Sequence, residues 1–339
     1  MDWNFILFAL VKIITVIFFA VLPMVAYSVY VERRVSAAIQ DRIGPNRVGP
    51  FGLLQPASDI LKLLLKEDFT PLTVRKVYFW LAPAITLIPA FMTVAVIPFG
   101  STLGSQKMVI ADLNVGVLYT FGIVSLGVYG IVLAGYAANS KYSFLGGIRS
   151  SAQMISYELA MGMSVIPLFL IVGDLNLSEV IGYQAVHGWL ILYAPVSFLI
   201  FLVAAFAETN RLPFDLPESE QELVGGYHTE YSSMKFALYF LSEYANMIAS
   251  SAIMVTLFFG GWTLPLFGLD QPATSVGGGF LHIGIFVGKM LCFMLLFIWV
   301  RWMFPRFRYD QLMDLGWRRF IPLALANIVI TALVLWLHA

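Results

Sequence analysis

The chain has 339 residues, of which 60% are hydrophobic and 12% are charged. Charged residues make up roughly a quarter of an ordinary soluble domain, so this composition excludes one and predicts an integral membrane protein. The 20 Lys and Arg residues balance the 20 Asp and Glu residues. A chain with no net charge gives no electrostatic reason to expect a nucleic-acid partner.

Eight apolar segments are long enough to cross a membrane, since about 20 helical residues span a hydrocarbon core roughly 30 Å thick. The sequence therefore predicts an all-α polytopic membrane protein, with residues 1–339 forming one membrane domain. The first segment is longer than needed and contains Pro23, which predicts a tilted or kinked helix. The eight transmembrane helices are expected at about 4–31, 78–99, 114–138, 152–173, 189–207, 239–264, 283–304 and 319–337.

Basic residues indicate the orientation of these helices. Seventeen of the 20 Lys and Arg residues lie on the first, third, fifth and seventh connections. By the positive-inside rule these connections face the cytoplasm, or the matrix in an organelle, and both termini face outside. Two of the inner connections are long, at residues 32–77 and 208–238.

The first inner loop contains the stretch LLQPASDILKLLLKED. Its polar residues recur every three or four positions with leucine and isoleucine between them. This spacing predicts a short amphipathic helix at the membrane surface, which either shapes a binding site or acts only as an anchor.

Ionisable residues inside the predicted spans are functional candidates, because a charge at the centre of a membrane helix costs roughly 2.5–3.5 kcal/mol. Glu158 and Glu243 lie within spans and Glu208 ends the fifth. We expect a polar internal path there, with structural hydrogen bonds between helices as the alternative. Lys12 and Lys289 lie in the outer halves of their spans, where a long side chain can also reach the interface, so their roles stay open.

The second long loop lies within the stretch AETNRLPFDLPESEQELVGGYHTEYSSMKF, which has six carboxylates and only two basic residues, Arg211 and Lys235. Two structures fit this composition. One is a solvated acidic loop. The other is a re-entrant, water-filled funnel, since Pro213 and Pro217 prevent helix continuation and non-helical backbone is tolerated at membrane depth where it lines a cavity.

Redox and metal chemistry cannot be built from this chain alone. Cys292 is the one cysteine, and the four histidines are widely separated in the sequence. A cysteine-ligated iron–sulfur cluster or disulfide framework needs more thiols than this. We therefore expect no metal site and no bound cofactor in the chain, and any redox centre must lie on a partner.

Four stretches resemble the loops of a known family. VERRVSAAIQDRIGPNRVGPFGLLQPASDILKLLLKED, SKYSFLGGIRSSAQMISYELAMG, the acidic stretch above and VRWMFPRFRYDQLMDLGWRRFIP are similar to the signature loops of the H-type subunits of proton-translocating NADH:quinone oxidoreductase, respiratory complex I. The mitochondrial equivalent is the first subunit of NADH dehydrogenase. The four stretches occupy every inner loop in the family's order.

The resemblance implies a membrane subunit that forms the quinone chamber of the enzyme while carrying no redox centre itself. Quinone would be the substrate, and flavin and iron–sulfur clusters would lie on partner subunits. Those partners are the hydrophilic connecting subunits, including the one with the terminal cluster, and the small and antiporter-like membrane subunits. The location implied is the bacterial cytoplasmic (inner) membrane, or the mitochondrial inner membrane for an organellar chain.

Site residues carry over from the resemblance by position, and none is catalytic. The polar lining of the quinone passage would be Glu32, Arg33, Arg42, Asp59 and Arg301. A proton relay and funnel would comprise Glu208, Asp215, Glu218, Glu220 and Glu222, continuing to Glu158 and Glu243. For each arginine, an interface or lipid-headgroup contact is the alternative.

Two rival functions remain at this stage. The equivalent subunit of a membrane-bound hydrogenase or ferredoxin-coupled complex shares the scaffold but needs no quinone path. A stand-alone proton-coupled transporter would show two repeated halves with interrupted spans, which the sequence lacks. The quinone species, and whether the subunit itself conducts a pumped proton, stay open.

Overall fold

The computed structural model describes residues 3–104, 106–216, 224–265 and 268–338, and these fold mainly into helices. The helices are α1 (Trp3–Thr15), α2 (Leu22–Ile39), α3 (Gln55–Leu65), α4 (Lys76–Val94), α5 (Gly116–Ala137), α6 (Lys141–Val172), α7 (Leu177–His187), α8 (Pro195–Glu208), α9 (Ser233–Phe258), α10 (Val276–Met303), α11 (Tyr309–Asp314) and α12 (Ile321–His338). A short antiparallel hairpin pairs β1 (Thr102–Leu103) with β2 (Gln106–Lys107).

Six helical stretches in the described residues are long and apolar enough to cross a membrane. They are Leu7–Ile39, Lys76–Val94, Gly116–Ala137, Lys141–Val172, Val276–Met303 and Tyr309–Leu337. The chain is thus an all-α polytopic membrane protein. Helix α8 is apolar but has only 14 residues, and α9, with 26 residues, contains Glu243, Asn246 and several serines. The count of eight spans therefore stays a prediction.

The first and last long helices each contain a π-helical segment just before a proline. Val16–Val21 joins α1 to α2, and Pro23 is the second residue of α2. Leu315–Phe320 joins α11 to α12, and Pro322 is the second residue of α12. Proline lacks the backbone N–H that an α-helix uses, and a π-bulge absorbs the resulting change in hydrogen bonding. Helix α2 runs on to Ile39, so Glu32 and Arg33 are helical.

The central helices pack in sequence order, with α4 against α5, α5 against α6 and α6 against α8, while α9 returns to contact α4. A glycine permits the closest of these contacts. A Cβ atom placed at Gly130 of α5 would lie 2.2 Å from Oγ1 of Thr86 on α4. Helix α9 is buried over most of its length. Its polar residues are therefore held within the protein.

Helix α3 occupies the stretch where the sequence predicts an amphipathic helix. None of its residues is buried, and Ile60, Leu61, Leu64 and Leu65 are exposed. Its position at a membrane surface stays a prediction.

Helix α7 is an element that the sequence analysis did not predict. It begins after Asn176, whose side-chain Oδ1 accepts a hydrogen bond of 2.8 Å from the backbone N–H of Ser178. Leu177, Val180 and Ile181 bury its apolar face. At 11 residues, the helix is too short to register as a membrane span.

Candidate functional site

Glu32 lies at the centre of a buried charge cluster. Its Oε2 accepts hydrogen bonds of 2.8 Å from Nη1 of Arg211 and 2.8 Å from the hydroxyl of Tyr244. Its Oε1 accepts a hydrogen bond from Nη1 of Arg301. These donors come from the turn after α8, from α9 and from α10, so one carboxylate on α2 connects four parts of the fold.

Arg211 extends the cluster to a second acid. Its Nε lies 2.9 Å from Oε1 of Glu243 as an ion pair, although the N–H direction does not make a hydrogen bond. The guanidinium also lies 4.2 Å from the ring centroid of Tyr244. The Arg211 side chain is 1% exposed. We call Glu32, Arg211, Glu243, Tyr244 and Arg301 the Glu32 cluster; its two carboxylates balance its two guanidinium groups.

The charges of this cluster stabilise one another. Burial alone would lower the pKa of Arg211, but the carboxylates of Glu243 and Glu32 outweigh burial and raise that pKa above its ordinary value. Arg211 therefore stays charged. A buried ion pair needs this kind of surrounding hydrogen bonding, because desolvation otherwise exceeds the attraction between the charges.

Gln153 of α6 holds the backbone on both sides of Arg211. Its Nε2 donates to the carbonyl of Ala207 at 2.6 Å and to that of Phe214 at 2.7 Å. One amide thus fixes the end of α8 to the turn that follows it. This fixes the point from which the Arg211 side chain enters the cluster.

Two cavities meet at Glu208, the last residue of α8. Cavity A, of about 480 Å³ including its open mouth, is lined by Glu208, Glu243, Asn246 and further residues of α4, α5 and α9. Cavity B, of about 430 Å³ on the same measure, is lined by Glu208, Asn246, Thr120 and Ser250 among others. Glu208 is 6% exposed, and its Oε2 has no hydrogen-bond partner among the described residues.

Glu158 lies in the interior between two helices. Its Oε1 is hydrogen-bonded to the hydroxyl of Ser125 on α5. Met161, one turn further along α6, lines cavity B together with Phe121 and Val124 of α5. Glu158 is therefore beside cavity B, although it does not line either cavity.

Asp215 forms a separate ion pair at the start of the acidic loop. Its Oδ2 lies 2.8 Å from Nη2 of Arg306, and the carboxylate is largely buried. The ring of Phe214 stacks on that of Phe307, with centroids 5.5 Å apart. Phe307 also donates its backbone N–H to the carbonyl of Pro213 at 3.1 Å. These contacts join the acidic loop to the segment between α10 and α11.

The remaining predicted residues of the quinone passage lie outside the Glu32 cluster. Arg33 pairs with Asp59 at 2.7 Å, which links α2 to α3. Arg42 makes local contacts, donating to Gln40 at 2.7 Å and to Ser36 at 3.4 Å. The predicted funnel residues Glu218, Glu220 and Glu222 lie outside the described residues.

Both lysines inside the spans bind backbone carbonyls. Lys12 donates to the carbonyls of Lys107 and Val109, at 2.9 and 3.2 Å. Lys289 donates to those of Phe259, Gly261 and Thr263, at 2.6, 3.0 and 2.5 Å. The Lys289 ammonium therefore binds the chain just past the C-terminus of α9. A cation there also complements the helix dipole.

An apolar groove lies between α2 and α10 and leads towards the Glu32 cluster. It has a volume of about 550 Å³ including its open side, and its lining comprises Pro23, Met24, Tyr27, Ser28, Val31, Leu291, Met294, Leu295 and Ile298. Val31 immediately precedes Glu32, and Ile298 is one helical turn before Arg301. An apolar channel thus borders a charged centre.

The sequence analysis assigned no role to several residues that this geometry brings forward. Arg211 carried one signal, as a basic residue in an acidic stretch directly after a span. Tyr244, Gln153 and Asn246 carried none, because uncharged polar residues in apolar helices do not indicate which neighbours they face.

Comparison with known proteins defines the class. The NADH dehydrogenase family matches residues 11–332, so the match covers nearly the whole chain. The chain belongs to the NADH dehydrogenase family.

Relatives narrow this class to one kind of subunit, the H-type subunit of NADH-quinone oxidoreductase. The chain is 51% identical over 326 residues to the first of these subunits in Cytophaga hutchinsonii, covering 94% of each chain. It is 51% identical over 326 residues to the second in Geobacter sulfurreducens, covering 95% of each. It is 50% identical over 323 residues to NADH-quinone oxidoreductase subunit 8 of Rhodothermus marinus, covering 93% of each.

Proposed function

We propose that this chain is the membrane subunit of a proton-translocating NADH:quinone oxidoreductase that forms the quinone chamber and couples it to a carboxylate relay. The observation that carries the proposal is the Glu32 cluster, in which Arg211 pairs with both Glu32 and Glu243. Glu32 is a residue of the proposed chamber and Glu243 a residue of the proposed relay. One buried guanidinium therefore couples the two electrostatically.

The groove and the cluster together suit an amphipathic ligand. A quinone has a polar headgroup and a long apolar tail. The apolar groove would accept the tail, while Arg301 and Glu32 at its end offer hydrogen bonds to the headgroup. Arginine suits this position because it remains charged in a partly dry cavity and presents a fork of donors.

The relay would run from the Glu32 cluster into the interior. Glu243 lines cavity A, and Glu208 joins cavity A to cavity B. Glu158 lies beside cavity B, hydrogen-bonded to Ser125. A change of charge at a reduced quinone would alter the field on Arg211 and so shift the proton occupancy of these acids.

Arg33, Asp59 and Arg42 would shape the entrance, with α3 lying at the membrane surface. Asp215 and the acids Glu218, Glu220 and Glu222 would form the funnel. The eight-span arrangement, with α8 and α9 as the fifth and sixth spans, would place the long loops on the cytoplasmic side and both termini outside. These loops would contact the connecting subunits that carry the iron–sulfur clusters, and the outer helices would contact the small and antiporter-like subunits.

The hydrogenase-type alternative has less support. The relatives above carry the name NADH-quinone oxidoreductase at about half identity over nearly the full chain. Their bacterial sources also favour the bacterial cytoplasmic membrane as the location.

The proposed quinone site is tested in the intact complex with Glu32→Gln and Arg301→Gln. Each change removes a charge-assisted hydrogen bond worth about 1.5–3 kcal/mol, so quinone reduction by NADH should fall roughly ten- to a hundredfold. Reduction of a hydrophilic artificial acceptor at the flavin should not change. Glu179→Gln, the same substitution on exposed α7, is the matched control. Normal quinone kinetics in both cluster variants would contradict the proposal.

A further inference from the structure

Asn246 of α9 is a polar residue inside the helical bundle that lines both cavities. Its amide makes no hydrogen bond to any residue that the structure describes, while neighbouring serines and threonines of α9 bond to backbone carbonyls. An amide carries two donors and two acceptor sites. Leaving these groups unsatisfied in an apolar interior is costly, so they need water as a partner.

Glu208 presents the same requirement from the opposite wall. It is the other charged or amide side chain common to the linings of both cavities, and its buried Oε2 also lacks a described partner. Buried water occupies sites that offer two to four polar groups. Asn246 and Glu208 supply this minimum where the cavities meet.

Cavity B offers two further groups on the far side of this junction. Ser250 is one helical turn beyond Asn246 on α9 and also lines cavity B. Thr120 donates its hydroxyl to the carbonyl of Gly116 at 2.7 Å, so its oxygen remains free to accept a hydrogen bond. Cavity A offers Glu243 and Ser242 on the near side. Polar groups thus continue from one cavity to the other past Asn246.

We propose that Asn246 is a positioning residue whose amide holds ordered water against Glu208 at the junction of the two cavities, and so keeps a hydrogen-bonded connection between Glu243 and the interior of the bundle. Asn246 does not exchange protons itself. It orients the water through which Glu208 exchanges them, and this role rests on the relay proposed above.

The test uses the intact purified complex with Asn246→Leu, which keeps the approximate volume and removes the hydrogen-bonding groups. Quinone reduction and proton translocation should both fall roughly tenfold, since positioned proton transfer contributes at least that much to such steps. Asn246→Ser, which keeps a polar group and leaves room for a further water, should recover most of the activity. A high-resolution map of the unsubstituted complex should show water within hydrogen-bonding distance of both Asn246 and Glu208.

Ser251→Ala is the matched control, because Ser251 is buried on the same helix and bonds only to the carbonyl of Met247. It should leave both activities unchanged. Glu208→Gln separates the two proposals. If Glu208→Gln loses activity while Asn246→Leu does not, or if the map shows no water at Asn246, the inference is wrong and the relay stands. If both variants behave normally, the relay itself is wrong.

Discussion

Arg211 has two carboxylate partners in the interior, and this sets the charge balance of the site. Without it, Glu32 and Glu243 would share only Arg301, which lies against Glu32. Removing one partner from a buried ion pair costs about 3–5 kcal/mol, because the remaining charge is left without compensation. The residue therefore matters for stability as well as for coupling.

We expect Arg211→Gln to lower the melting temperature of this subunit in the purified complex, by an amount equivalent to about 3–5 kcal/mol. Arg211→Gln combined with Glu243→Gln restores the balance of one carboxylate and one guanidinium, so the double variant should be more stable than the single one. Arg318→Gln removes a highly exposed charge that pairs with Asp314 and is the control. A double variant that is less stable than Arg211→Gln would contradict this view of the cluster.

At the scale of helices, the contact between α4 and α5 depends on a glycine that allows close approach. The backbone of Gly130 leaves no room for a methyl group, since Thr86 contributes both a hydroxyl and a backbone nitrogen within 2.8 Å of the Cβ position. The same contact positions α4 along cavity A, which Thr86 lines. Packing at Gly130 and the shape of that cavity are thus linked.

Gly130→Ala should separate α4 from α5 and destabilise the subunit by about 1–3 kcal/mol, the usual cost of overpacking. Gly122→Ala is the matched control, because it lies on the same helix and a Cβ there meets nothing within 4 Å. The two single variants are compared by thermal unfolding of the detergent-purified complex. Equal melting temperatures would show that the close approach at Gly130 is not needed.

Hydropathy alone predicted most of the long helices, because membrane spans are defined by length and apolar composition. It did not predict the π-helical segments beside Pro23 and Pro322, since these depend on local hydrogen bonding. Helix α7 was missed because its 11 residues lie in an expected outer loop. The polar helix α9 was placed as a span, although its composition resembles that of a helix buried within protein.

The site was harder to predict than the helices. Sequence analysis named Glu32, Arg301 and Glu243 separately, as chamber and relay residues. Their meeting depends on tertiary packing: Arg211 is 179 positions from Glu32, and Arg301 is 269 positions from it. No pattern in one sequence indicates which faces of α2, α9 and α10 meet, so the linking role of Arg211 could not be foreseen.

Across the whole molecule, polar groups form a connected interior within an apolar shell. The Glu32 cluster lies beside the apolar groove, Glu243 opens from the cluster into cavity A, and Glu208 joins cavity A to cavity B. Acidic residues inside a membrane protein are tolerated where protein or water surrounds them. The arrangement places one end of this interior at the proposed quinone site and the other deep among α5, α6 and α9.

The most direct test of the account is the effect of Glu243→Gln on the intact complex reconstituted in sealed vesicles. The change removes the carboxylate that Arg211 shares with Glu32 while keeping the side-chain shape. Quinone reduction and proton translocation should fall together, with reduction of an artificial acceptor at the flavin unchanged. Normal rates of both quinone reduction and proton translocation would contradict the claim that this cluster couples the chamber to the relay.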